Sequence, residues 1–169
     1  MSTKQINKPS YITVLVTSDI HKNSTLAKQV LTKENYDYAI NLGDSELSDE
    51  WINKNYTYAV AGNCDFYSIL KPYLFFDIQG IKIFATHGHL FEIKSDDLLR
   101  QLANYNIEKP DLVLFGHSHI RESFEKDNIC FVNPGSVSRP RDVINRGSYA
   151  LIKIQDKKII NIIFKDLFL

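Results

Sequence analysis

Cysteine is scarce in this chain: Cys64 and Cys130 are the two among 169 residues. They are too few for a disulfide framework, and neither belongs to a Cys-x-x-Cys pair that would hold zinc. An excess of one charge is also missing, because 20 Lys and Arg face 20 Asp and Glu. That balance excludes a global positive field for a nucleic-acid backbone or an anionic membrane, so any phosphate recognition has to be local. No apolar run approaches the ~20 residues that cross a bilayer. The segment Met1 to Ser10 is polar and lacks the apolar centre of a secretory signal. There is no internal repeat and no low-complexity stretch. These absences lead us to expect a cytoplasmic protein with a polar tail over residues 1–10 and one domain over residues 11–169. At 44% hydrophobic composition, that domain can bury a substantial core.

What the chain does contain is concentrated. Its five histidines, His21, His87, His89, His117 and His119, fall in three short stretches, each just beyond an apolar run that reads as a β-strand. The stretches are Asp19-Ile20-His21, Thr86-His87-Gly88-His89 and Gly116-His117-Ser118-His119. Gly43-Asp44 and Gly62-Asn63-Cys64-Asp65 lie between the first two, also at strand ends. Strands are expected over 11–17, 38–42, 56–61, 73–79, 81–86 and 112–115, with helices over 25–35, 48–53 and 96–106. Ser95 is the expected N-cap of the last helix, and Gly80 the turn of a hairpin. The remainder is strand-rich, with runs at 123–124, 129–133, 148–154 and 158–165. Cys130 and the aromatics Phe75, Phe76, Phe84, Phe91 and Phe115 read as core. Parallel strands first and antiparallel strands last predict an α/β fold of two stacked mixed β-sheets flanked by helices, with the polar blocks gathered along one edge.

Carboxylates, imidazoles and a carboxamide suit Mn, Fe, Zn, Ni or Mg better than a soft metal. The set comprises Asp19, His21, Asp44, Asn63, His87, His117 and His119, more side chains than one transition metal takes from protein. Two metals sharing a carboxylate would use them fully. Two ions roughly 3.5–4 Å apart can hold a bridging hydroxide near neutral pH and stabilise both apical oxygens of an in-line displacement at phosphorus.

These blocks, in this order, resemble the calcineurin-like metallophosphoesterases. The resemblance is greatest to the small cap-less bacterial and archaeal phosphodiesterases, which share Gly62-Asn63-Cys64-Asp65 and Asn133-Pro134-Gly135-Ser136, and it runs from Val14 to about Arg141. It implies an αββα sandwich and a metal-dependent phosphodiesterase with two divalent ions, Mn²⁺ favoured and Mg²⁺, Ni²⁺, Zn²⁺ or Fe²⁺ as alternatives. Asp19, His21, Asp44 and His119 would hold the first ion, with Asp44 shared, and Asn63, His87 and His117 would complete the second. His89 has no ligand position and would hydrogen-bond to a ligand or to substrate. Arg139, with Arg141 behind it, would offer a fork to a substrate phosphate, whereas Lys22 faces solvent. Cys64 stands where many larger members carry a histidine that protonates the leaving group; with a thiol pKa of about 8.5 it is a poorer general acid.

The resemblance extends to the small retromer subunit, a scaffold of the same shape that uses its surface for partners, so a non-catalytic binding module is the alternative. Within enzymes, a phosphomonoesterase or nucleotide pyrophosphohydrolase is the nearer one. The expected partners are a small phosphate-ester substrate and, through an exposed strand at a sheet edge, another copy of the chain; no membrane or strong nucleic-acid signal is seen.

Overall fold

The computed structural model describes residues 10–167, so most of the expected polar tail lies outside the described residues. The elements in order are β1 (Ile12–Thr17), α1 (Ser24–Lys33), β2 (Tyr38–Asn41), α2 (Asp49–Asn55), β3 (Tyr58–Ala59), β4 (Tyr73–Ile78), β5 (Ile81–Thr86), α3 (Leu98–Asn104), β6 (Leu112–Leu114), β7 (Arg121–Lys126), β8 (Ile129–Pro134), β9 (Gly147–Gln155) and β10 (Lys158–Leu167). They build two mixed sheets of five strands, ordered β10-β9-β1-β2-β3 and β4-β5-β6-β8-β7. Parallel neighbours β1-β2-β3 make up one side of the first sheet, and β5-β6-β8 form the centre of the second. Antiparallel β9 and β10 complete the first sheet beside β1, and β4 and β7 flank the second.

Alternation of side chains along each strand explains the layering. Val14 and Val16 of β1 face inward, where they meet Ile83, Ala85, Leu112, Leu114 and Val132 of the other sheet. Leu15, between them, faces outward and packs with Ala27, Val30 and Leu31 of α1 and Ile52 of α2. On the far side, Phe84, Val113 and Phe131 pack under Leu98 and Leu102 of α3. The result is helix, sheet, sheet, helix, as expected. Among the described residues, no helix is long and apolar enough to cross a membrane.

Three local expectations change. Helix α3 starts at Leu98, with Asp97 at its N-cap making no side-chain cap. Ser95 instead accepts the Asp97 N–H at 3.1 Å in a local turn, while Asp96 pairs with Lys126 and Asp97 with Arg100. The expected strand over 56–61 shrinks to Tyr58–Ala59, because α2 runs to Asn55 and uses Tyr56 as its C-cap. Of the side chains read as core, Phe84, Phe91 and Phe115 are buried, whereas Phe75, Phe76 and Cys130 are half-buried at core margins.

Arg121 of β7 fastens the sheets together at one edge. Its guanidinium donates to Asp142 at 2.7 Å, to Asp166 of β10, and to the Arg146 carbonyl oxygen at 3.0 Å. Burial alone would raise the Asp142 carboxyl, but Arg121 outweighs it and holds the pKa below the usual carboxylate value. A carboxylate lowered on folding stabilises the protein above its unfolded pKa and loses that effect as pH falls through the folded value. Asp142→Asn should therefore lower stability by about 1–2 kcal/mol near pH 7. The gap in urea-unfolding free energy should close as pH falls below about 4.

Candidate metal centre

Parallel strands deliver their carboxyl ends to one edge, and the polar blocks follow those ends. Asp19 and His21 follow β1, Asp44 follows β2, Asn63 and Cys64 follow β3, His87 follows β5, and His117 and His119 follow β6. Beyond the strands the β1 and β2 loops stay zipped: Asp19 N–H donates to Gly43 O, His21 N–H to Asp44 O, and Lys22 N–H to Ser45 O, at 2.9 to 3.0 Å. Asp19, His21, Asp44, His117 and His119 all sit at positive φ, between 45° and 69°. Such backbone costs a non-glycine residue of order 1 kcal/mol and survives only where neighbours over-determine it.

Those neighbours include the Asn133-Pro134-Gly135-Ser136 block. Ser136 donates to the Asp19 carbonyl oxygen at 2.8 Å, and Asn133 donates to Gly116 O at 2.9 Å. The loops approach too closely for any side chain at two glycines. A Cβ on Gly62 would lie 2.1 Å from Asp44 Oδ1, and one on Gly116 would lie 2.0 Å from Ser18 Oγ and 2.9 Å from Asp19 Oδ2.

The orientation of the rings is the decisive observation. His87 Nδ1 donates to the Leu42 carbonyl oxygen at 2.8 Å, His119 Nδ1 to the Arg139 carbonyl oxygen at 2.6 Å, and His21 Nδ1 to Glu46 Oε1 at 2.7 Å. Carbonyls and carboxylates only accept, so each neutral ring carries its proton on Nδ1 and turns a bare Nε2 lone pair inward. The three Nε2 atoms lie 3.0 Å (His119), 3.9 Å (His21) and 3.9 Å (His87) from Asp19 Oδ1. Asp19 Oδ1 and His87 Nε2 are buried and make no hydrogen bond. His87 Nε2 is also 3.4 Å from Asp44 Oδ2.

Facing lone pairs repel unless a cation or a proton lies among them. Asp19, His21 and His119 form one group able to hold a metal ion, and Asp19, Asp44 and His87 another. The orphaned atoms and the donor types both fit divalent metal. Where protons act instead, the pKa values respond. Burial opposes a charge on His87, yet the Asp44 contact and the charges of Asp19 and Asp44 prevail and raise its pKa. Burial likewise would raise Asp44, but His87 and the Cys64 N–H, which donates to Asp44 Oδ1 at 2.7 Å, drive it well down.

The other candidates occupy the rim. His117 is exposed with its ring 5.1 Å from that of His87, and His89 is exposed 5.5 Å from His87. Burial and the nearby charge of His87 lower the pKa of both. Asn63 is exposed and directs its amide to Cys64 Sγ at 3.3 Å, so the structure brings neither it nor His117 into the buried group. Cys64 Sγ comes within 4.8 Å of the ligand atoms of His21 and Asp44. Burial and Asp44 push its thiol up to about 11. Arg139 meets the site through its carbonyl, and Arg141 through an N–H donated to His119 O at 3.0 Å; both residues are exposed. Lys22 is exposed and pairs with Glu46 at 3.3 Å.

Two residues were missed from the sequence. Glu46 orients His21, and Asp65 holds Glu46 N–H at 2.7 Å and Gly62 N–H at 2.8 Å. The signal available was that each acid lies two residues beyond a proposed ligand.

Comparisons with known proteins identify the family and the fold. The model of the calcineurin-like phosphoesterase superfamily domain matches residues 12–157. The probable metallophosphoesterase YsnB of Bacillus subtilis (strain 168) is 35% identical over 147 residues, covering 85% of either chain. Phosphodiesterase YfcE of Escherichia coli (strain K12) is 30% identical over 113 residues, 62% of this chain and 55% of that protein. Among solved structures, a conserved uncharacterized protein and predicted phosphoesterase from Streptococcus pneumoniae TIGR4 is 31% identical with a TM-score of 0.79, covering 94% of this chain and 91% of its own. Vacuolar Protein Sorting 29 from Cryptosporidium parvum is 19% identical with a TM-score of 0.67, covering 93% and 98%, a likeness of fold.

Mn²⁺ at roughly a hundred times its dissociation constant should stabilise the metal-stripped protein by about 2.7 kcal/mol, seen as a higher thermal midpoint. Because His87 is protonated more readily than an ordinary histidine, Mn²⁺ affinity should weaken as pH falls from 8 to 6. Gly62→Ala should forfeit most of the stabilisation by displacing Asp44; calorimetric titration and thermal melts check all three outcomes.

Proposed function

Because the chain belongs to the calcineurin-like phosphoesterase superfamily, we propose that it is a metal-dependent phosphodiesterase with two divalent ions. The convergence of Nε2 lone pairs and carboxylate oxygens around Asp19 is the observation that carries this reading. Asp19, His21, Asp44 and His119 would hold one ion, and Asn63, His87 and His117 the other, with Asp44 common to both and Mn²⁺ as the favoured metal. Bound there, two divalent ions supply a water of lowered pKa and positive charge opposite the phosphoryl oxygens.

The chain's own groups do the rest. Nδ1 bonds keep His21, His87 and His119 in the ligating tautomer, which preorganises the site. His117 closes the second position by a small ring movement, its lowered pKa keeping it neutral at pH 7. His89 is also neutral there and offers an N–H to a phosphoryl oxygen or to the departing oxygen. Without metal, burial and Asp44 hold the Cys64 thiol protonated; beside bound cations it would turn to thiolate, and in either state it is a weak general acid. Esters with good leaving groups are therefore the preferred substrates. The exposed Arg139 swings over the rim to meet the phosphate.

The binding-module reading is disfavoured because orphaned buried lone pairs cost stability and a scaffold has no use for them. Metal-stripped protein should hydrolyse bis-p-nitrophenyl phosphate only after Mn²⁺ is restored, and faster than p-nitrophenyl phosphate. Asp44→Asn should lose at least about 100-fold. Bound Mn²⁺ without turnover of either ester would overturn the reading in favour of the scaffold. A faster monoester would replace diesterase with monoesterase. Cys64→His should speed esters with poor alkoxide leaving groups by about tenfold or more while changing p-nitrophenyl esters much less, as rates across a leaving-group series would show.

A further inference from the structure

The chain leaving β3 makes two successive β-turns that share Asp65. The first, closed by Asp65 N–H donating to Gly62 O at 3.3 Å, places Asn63 and Cys64 at its corners beside the candidate centre. The second, closed by Ser68 N–H donating to Asp65 O at 3.1 Å, places Phe66 and Tyr67 at its corners. Turn corners normally take Gly, Pro, Asn, Asp or Ser, because such residues suit the backbone and keep company with water. Here two aromatic side chains occupy them, 82% and 100% exposed, followed by Ile69 at 92%.

The turn is fastened at both ends. At its start, the Asp65 carboxylate accepts Gly62 N–H and Glu46 N–H. At its end, the Asp49 carboxylate in the first turn of α2 accepts Ser68 Oγ–H at 2.7 Å and Ile69 N–H at 2.8 Å. Rings held out on a braced mount lose little entropy when a flat ligand lies against them. A cleft of about 410 Å³ runs from Phe66 and Tyr67 to Cys64 and Glu46, at the rim of the centre. Cys64 N–H bonds Asp44, and Glu46 bonds His21, so the end of this cleft away from the rings is tied to proposed ligands.

We infer that Phe66 and Tyr67 form a stacking platform for a flat aromatic group on the ester, a nucleobase or an aryl ring, while its phosphate lies at the metal centre. The inference rests on the phosphodiesterase reading and adds the substrate class to it: phosphodiesters with an aromatic or nucleoside substituent. The proposed occupant follows from the cleft reaching the rim of the centre.

Three diesters with the same p-nitrophenolate leaving group isolate the effect: methyl, phenyl and thymidine 5′-yl p-nitrophenyl phosphate. For Mn²⁺-loaded protein, kcat/KM should be about tenfold higher for the two aromatic esters than for the methyl ester, the size expected of stacking on aromatic side chains. In Phe66→Ala/Tyr67→Ala that ratio should fall to about one. A ratio unchanged in the variant, or near one in the wild type, overturns the inference and leaves the phosphodiesterase reading intact. A phenyl ester that responds while the thymidine ester does not restricts the class to simple aryl esters.

A binding arm tests the platform without turnover. Thymidine 5′-monophosphate should bind the Mn²⁺-loaded protein about tenfold tighter than inorganic phosphate by calorimetry, and the double variant should lose the difference. Equal affinities in the wild type overturn the platform even if no diester is hydrolysed. Absence of hydrolysis with the difference retained overturns the phosphodiesterase reading alone. Melting at the wild-type temperature would show that the variant has kept the fold.

Discussion

Electron pairs with no proton between them, packed into a buried space, are the constraint on which the rest of this structure turns. Asp19 Oδ1 and the Nε2 atoms of His21, His87 and His119 face one another because every Nδ1 is already committed to an acceptor. In a site screened from water this arrangement is unfavourable by itself. Protonation relieves it in part, hence the raised pKa of His87; divalent cations relieve it fully. The same feature that weakens the metal-free fold gives the loaded site its preorganisation.

Holding such a cluster together requires rigid backbone, and the surrounding architecture supplies it. Two sets of parallel strands, one in each sheet, aim their ends at one edge, and loop-to-loop hydrogen bonds extend the pairing past the last strand residue. Five proposed ligands sit in left-handed backbone, a conformation that would relax if the loops were free. Ser136 and Asn133 prevent this from the third side by bonding the β1 and β6 loops. The glycines at 62 and 116 fit the same logic, since each lets a carboxylate-bearing loop come nearer than a methyl group would allow.

On one face of the centre the bracing extends beyond the proposed metal ligands, and Asp65 is its common anchor. Its carboxylate fixes the Glu46 backbone that orients His21, and it is the hinge between the turn carrying Asn63 and Cys64 and the turn carrying Phe66 and Tyr67. Loop positions on a rigid scaffold are where binding groups gather.

The sequence by itself determined the layered fold and the location of the polar blocks, because strand alternation and helix periodicity are local and each block directly follows a strand. It also determined the donor chemistry, since Asp19, His21, Asp44, His87 and His119 are the residue types a hard or borderline metal selects. Local pattern was not enough for the start of α3, where Ser95 closes a local turn and Asp97 takes the N-cap position. It also missed the shrunken β3, whose length depends on where α2 ends. Only the tertiary structure decided which nitrogen of each histidine faces inward, because two of the three Nδ1 partners are backbone carbonyls, of Leu42 and Arg139, which no residue type announces. It decided that Arg139 reaches His119 through its main chain, that Glu46 steadies His21, and that Asn63 and His117 stand at the rim. These facts come from contacts between segments far apart in the chain, whereas sequence pattern is a record of neighbours.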